Sequence, residues 1–148
     1  MTKLNPGEFI KSHRYGVLST HSVTEAGYPF GSITPYIISD NGEIAILISH
    51  LAEHTTNILA NPKVALTLFD PEDSNNPQAG ARITCLANAR KADDESDLRQ
   101  RYVTHFADAD MIIQLPGFHF YLLDLVKVRL IAGFGHVKWL EADQLKLD

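Results

Sequence analysis

The sequence predicts an antiparallel β-barrel with short helices attached, a mainly β fold, and three observations carry that prediction. Strand-like runs recur along the whole chain, about six of them, against three or four short helical stretches. The runs follow one another without the βαβ alternation that a parallel sheet requires. No internal repeat or linker interrupts residues 1–148, so a single domain is expected. A chain of this length buries roughly 70% of the surface its unfolded form exposes, enough for a core without disulfides.

In order, Asn5-Pro6 supplies a cap and a first-turn proline for an amphipathic helix with Phe9, Ile10 and His13 on one face. Residues 15–20 and 28–38 then read as strands joined by a hairpin turn at Glu25-Ala-Gly27. Pro29 and Pro35 cannot donate ladder hydrogen bonds, which places the second strand at an edge, a bulge or the lip of a cleft. Ser32 and Thr34 share one of its faces, as in a strand that lines a ligand groove.

Residues 44–69 carry the best candidate site. Glu43-Ile-Ala-Ile-Leu-Ile48 is an apolar, β-branched run entered through the turn Asp40-Asn-Gly42. Lys63-Val-Ala-Leu-Thr-Leu-Phe69 is a second, entered through Asn61-Pro62. Between them Leu51, Thr55, Ile58 and Leu59 recur at helical spacing. Ser49 is placed to cap that helix, whose first N–H groups would attract an anion. Plain capping also accounts for Ser49, so spacing alone leaves both readings open.

Residues 70–80 form a long polar loop with Pro71 and Pro77, expected to be among the most mobile parts of the protein. Residues 81–90 alternate Ile83, Cys85, Ala87 and Ala89 with Arg82, Thr84, Asn88 and Arg90, which buries one face and makes Cys85 an unreactive core residue. Ala92-Asp-Asp-Glu-Ser96 opens a helix with an acidic first turn, and Arg99 and Arg101 further along match the helix dipole. Another short helix is expected over residues 108–115, stopped by Pro116-Gly117. Residues 118–140 give two strands in quick succession, the second carrying Gly133-Phe-Gly135 and Trp139.

Composition narrows the function. A net charge of -5 argues against a general nucleic-acid binder, which needs clustered Lys and Arg. The acidic run Asp93-Asp-Glu-Ser-Asp97 reads as a solvated face. No apolar run reaches the ~18 residues of a membrane span, the N-terminus lacks a signal-peptide core, and no membrane partner is expected. The single cysteine has no partner within the chain, which points to a reducing, cytoplasmic setting. Of seven histidines only His50 and His54 stand at i, i+4, with no third ligand at a diagnostic interval, so no metal site is expected. Gly133-Phe-Gly135 lacks the spacing of a phosphate loop and marks a bend instead.

Residues 42–69, with a strand, Ser49-His-x-x-x-His54-Thr55-x-Asn57, Asn61-Pro62 and a second strand, resemble the flavin-binding split barrel of the pyridoxamine 5′-phosphate oxidase superfamily. The similarity is greatest to its haem-utilisation branch. It extends through Asn76-Pro-Gln-Ala-Gly-Ala-Arg82, Arg101-Tyr102 and Leu130-Ile-Ala-Gly-Phe-Gly-His-Val-Lys-Trp139, nearly the whole chain in the right order. The resemblance implies a six-stranded split barrel, a homodimer, and FMN in a groove at the subunit interface. It implies that the strand Ser32 to Pro35 flanks the isoalloxazine ring, with Ser32, Ile33 and Thr34 as binding residues, and that Ser49, His54 and Thr55, with Asn57 from the same motif, surround the phosphate. Arg82 and Trp139 would approach from the dimer-interface side.

Oxidases of the pyridoxamine type carry an Arg-Lys pair on the helix where this chain has Glu53-His54, and further basic residues on the strand where it has Ser32 and Ile37. Relatives in the haem branch often show Arg where this chain has Thr56. Each missing charge-assisted bond removes about 1.5–3 kcal/mol from phosphate binding. His54 is the only side chain of the motif able to become cationic, and an anion beside it would raise its pKa. The chain ends near Asp148, before the extension that carries the haem contact in longer relatives. The resemblance therefore implies an FMN-dependent oxidoreductase of low specificity. Its alternative is a haem-binding protein of haem storage or degradation, with a surface histidine as axial ligand. An empty pocket used only for assembly is a third reading.

Overall fold

The computed structural model describes residues 4–70, 80–106, 112–132, 136–145 and 147. The elements are α1 (Pro6–Lys11), β1 (Tyr15–His21), β2 (Pro29–Ile38), β3 (Ile44–Ser49), α2 (Glu53–Ala60), β4 (Lys63–Phe69), β5 (Ala81–Lys91), α3 (Ser96–His105), β6 (Phe118–Ala132) and β7 (Val137–Glu141), then a 3₁₀ turn at Ala142–Gln144. All pairings are antiparallel, in the order β3-β2-β1-β4-β5-β6-β7, and β3 also pairs with β6. Six strands thus close into a barrel, as expected, and β7 is added outside the ring along the second half of β6. The loop residues 71–79, Gly133-Phe-Gly135 and the first half of the helix expected at 108–115 lie outside the described residues; Ile112 and Ile113 are helical.

Alternation decides what fills the barrel. Leu18, Leu66, Leu68, Ile83, Cys85 and Val128 point inward and are fully buried, while their chain neighbours are partly exposed. Each such side chain contributes roughly 1.5–3 kcal/mol on leaving water. In β3 both faces are covered. Ile44, Ile46 and Ile48 enter the barrel core, whereas Ala45 and Leu47 pack with Leu98 and Tyr102 of α3 and Phe120 of β6. That double burial is why this segment reads as an unbroken apolar run. α1 adds Phe9 and Ile10 to the core, and the buried Tyr36 hydroxyl donates to the Ile10 carbonyl.

Two helix starts differ from expectation. α3 begins at Ser96 rather than at Ala92, because the Ala92 N–H still donates to the Phe120 carbonyl at 2.9 Å and holds the chain against the sheet. Asp94 then accepts from the Ser96 N–H and hydroxyl at 3.0 and 2.8 Å. α2 begins at Glu53, with Ala52 as its N-cap and no side-chain cap. Ser49 does not cap it. The intervening residues make a turn pinned by the His50 N–H, which donates to the Gly117 carbonyl at 2.8 Å. Gly117 has φ +88°, and a β-carbon there would run into the His50 ring. Of the apolar stripe read for this helix, Thr55 and Ile58 are buried; Leu51, 82% exposed, precedes the helix, and Leu59 faces outward.

β2 pairs with β1 from Pro29 to Pro35 but with β3 only at Tyr36, Ile37 and Ile38. The second ladder stops at Pro35, which has no N–H to offer. One edge of residues 29–35 is therefore open, as the two prolines predict, and this is the split in the barrel. No described helix is long and apolar enough to cross a membrane.

Candidate functional site

The split brings part of the expected site together. Ser32 faces the split, and its hydroxyl lies 3.0 Å from Nδ1 of His54, in the first turn of α2. Thr34, two residues on, is buried, and its hydroxyl donates to the Pro35 carbonyl at 3.4 Å. The Ser49 hydroxyl accepts from the Leu51 N–H at 3.2 Å, and the Ser49 carbonyl accepts from the Thr55 hydroxyl, which ties the turn to the helix.

Asn57 has a different task. It is 2% exposed, its Oδ1 accepts from the Val23 N–H at 2.9 Å, and its Nδ2 donates to the Thr20 hydroxyl at 3.0 Å. These bonds fasten α2 to the end of β1 and to the turn after it. The side chain expected beside a cofactor is thus engaged in holding the fold.

Ile33, Arg82 and Trp139 lie elsewhere. The register runs Ile33–Val17–Thr67–Thr84–Arg129–Trp139 across six strands, and cross-strand partners share a face, here the outer wall of the barrel. Ile33 is 74% exposed at one end of this row and Trp139 47% at the other, with the cationic groups of Lys127 and Arg129 5.5 and 5.2 Å from the indole centroid. Arg82 stands in the adjacent row, opposite Phe69 and Ile131.

The electrostatics of the split are neutral to acidic. Burial lowers the His54 pKa, and its Nε2 is buried with no hydrogen-bond partner among the described residues. Glu53 places a carboxylate in the first turn of the same helix. A dianionic flavin phosphate wants cations and charge-assisted donors, and these residues fit it poorly. Haem wants an accessible imidazole, an apolar surface and a cation for its propionates. His54 cannot present Nε2 to iron, because that atom has no exposed surface.

Two cavities offer other histidines. A cleft of about 380 Å³ between α1, β2 and α3 is lined by Lys11, His13, Arg101 and His105, among others. A groove of about 550 Å³ on the outer wall has Pro29, Ala65, Leu86 and Val126 in its lining and His21 and Lys63 among its polar groups. The sequence gives little sign of the groove, since its residues come from five strands and carry no motif. The one available signal is parity: His21 falls on the same outward set as Val17 and Ser19.

Comparison with known proteins places this architecture. Residues 7–132 match the profile of the family described as Pyridoxamine 5′-phosphate oxidase. The chain is 33% identical over 121 residues to the chloroplastic non-canonical haem oxygenase HOZ of Arabidopsis thaliana, covering 80% of this chain and 36% of that protein. It is 26% identical over 134 residues to the haem oxygenase HutZ of Vibrio cholerae, covering 86% of this chain and 76% of that one. It therefore spans little more than a third of the plant relative. A haem-binding protein from Mycobacterium smegmatis shares the fold with a TM-score of 0.81 at 22% identity, over 97% of this chain and 60% of that structure.

Proposed function

The chain belongs to the pyridoxamine 5′-phosphate oxidase family, and we propose that within it this protein binds haem and serves haem utilisation. The observation that supports this over a flavin enzyme is the split itself, where a half-buried His54, its pKa lowered by burial, bonds to Ser32 and Glu53 opposes an anion. The names of the two relatives, both haem oxygenases, point the same way. Bound haem would supply the redox chemistry. The chain would supply an axial donor, an apolar seat and a cation for the propionates. A flavin reading stands second. It is favoured by the family and by the α2 N-terminus, which lacks a side-chain cap.

The outer wall suits a second copy of the chain. Tyr15, Ile33, Phe69, Val137 and Trp139 are exposed large apolar side chains on one continuous surface. A homodimer paired through these five side chains would cover them.

Titration of the purified protein with haem and with FMN, followed by absorbance, tests the functional reading. Saturable development of a Soret band at about one haem per chain is expected. Tight FMN binding without haem binding would replace this reading with the flavin one, and binding of neither would overturn both.

A further inference from the structure

We propose that the outer-wall groove at the divergence of β1 and β4 is the haem seat, with His21 as axial ligand and Lys63 as the propionate partner. This rests on the haem-binding reading and names its site.

The groove exists because a ladder ends early. β1 and β4 pair only at Val17–Thr67, Leu18–Leu66 and Ser19–Ala65. Beyond Ser19 and Ala65 the strands separate, and His21 and Lys63, the next outward residues on each, flank the opening. On the far side Val126 is the extra residue of a bulge, since Leu86 pairs with Lys127 and Ala87 with Leu125. The bulge turns the Val126 side chain into the groove lining and leaves it half exposed. The result is a space of about 550 Å³, within the range of small-molecule sites, with the small residues Ala65 and Ala87 in its wall.

Its chemistry selects the occupant. The wall is apolar, apart from hydroxyls and one amide, and its only titratable groups are His21 and Lys63. No hydrogen bond or ion pair engages either side chain among the described residues. A flat apolar ring system with an imidazole-seeking metal and pendant carboxylates satisfies all three features at once. The competing cleft is smaller and more polar, and its Arg101 is already bonded to Asp97 and Asp40. Among the other histidines, the His50 and His119 rings are held by the Gly117 carbonyl and by Glu95, and the Nε2 of His54 is buried.

The test is haem titration of the full chain and of His21→Ala, Lys63→Glu and His13→Ala, read by absorbance and by resonance Raman of the iron–imidazole stretch. His21 and Lys63 are exposed, so these variants should fold; circular dichroism checks this. His21→Ala should lose the iron–imidazole band and bind haem roughly tenfold or more weakly, and added imidazole should restore the wild-type spectrum. Lys63→Glu should weaken binding several-fold with the ligation spectrum unchanged, and His13→Ala should match wild type. If wild type binds haem and His21→Ala keeps the wild-type spectrum, or His13→Ala loses it, the groove is wrong while haem binding stands. If wild type binds no haem, both fail together.

Discussion

Ser32 and His54 meet across the split between β2 and β3, hydroxyl to Nδ1 at 3.0 Å. β2 has no strand partner on that side because Pro35 ends its ladder with β3, and an α2 side chain takes the place a strand would occupy. The pair thus bridges the split with a side-chain contact and leaves the His54 Nε2 buried. That arrangement makes His54 a structural titrating group.

Acid should therefore weaken the fold through His54. Its folded pKa is lowered by burial from 6.5, so below about pH 6.5 the unfolded chain binds a proton that the folded one resists. Stability is full above that value, falls as the pH drops toward the folded pKa, and then levels. His105 shifts the same way, through burial first and Arg14 second. Thermal unfolding at about pH 7.5 and about pH 5.5 should show a smaller loss in His54→Gln than in wild type. Equal losses would remove His54 from this account.

Asn57→Ala should be among the costlier polar substitutions. It removes two bonds and leaves the Thr20 hydroxyl and the Val23 N–H without their partner. A loss of about 2–3 kcal/mol in denaturant unfolding is expected, a fall of roughly 4–10 °C in Tm. A change below about 0.5 kcal/mol would mean that water replaces the amide at no cost.

Cys85 should resist modification in the native protein. It is 0% exposed, and burial pushes its thiol up to about 12, so little thiolate is present at neutral pH. A thiol reagent should label it only as fast as the barrel opens, and denaturant should accelerate the reaction. Immediate stoichiometric labelling without denaturant would contradict the packing of β5.

The outer wall should hold two chains together. Sedimentation at micromolar concentration should give twice the chain mass for wild type, and Trp139→Glu combined with Ile33→Glu should give single chains with unchanged circular dichroism. Both residues are exposed in the single chain, so neither change strains its core. A wild-type mass of one chain would end the pairing model.

The strands were legible in the sequence because period-two alternation reports burial directly, and β5 shows it cleanly from Ile83 to Ala89. The open edge of β2 was legible as well, since a missing N–H at Pro35 is a local property. The start of α2 was not, because whether Ser49 caps a helix depends on Gly117, 68 residues later, whose carbonyl pins the turn at His50. The same limit applies to the site. The family resemblance set Arg82 and Trp139 on another side from Ser32 and His54, but only the cross-strand register gives their places, the first two on the outer wall and the last two at the split. Register and ladder length depend on pairs of distant strands, and so does the groove beside His21 and Lys63, which opens where the β1–β4 pairing stops.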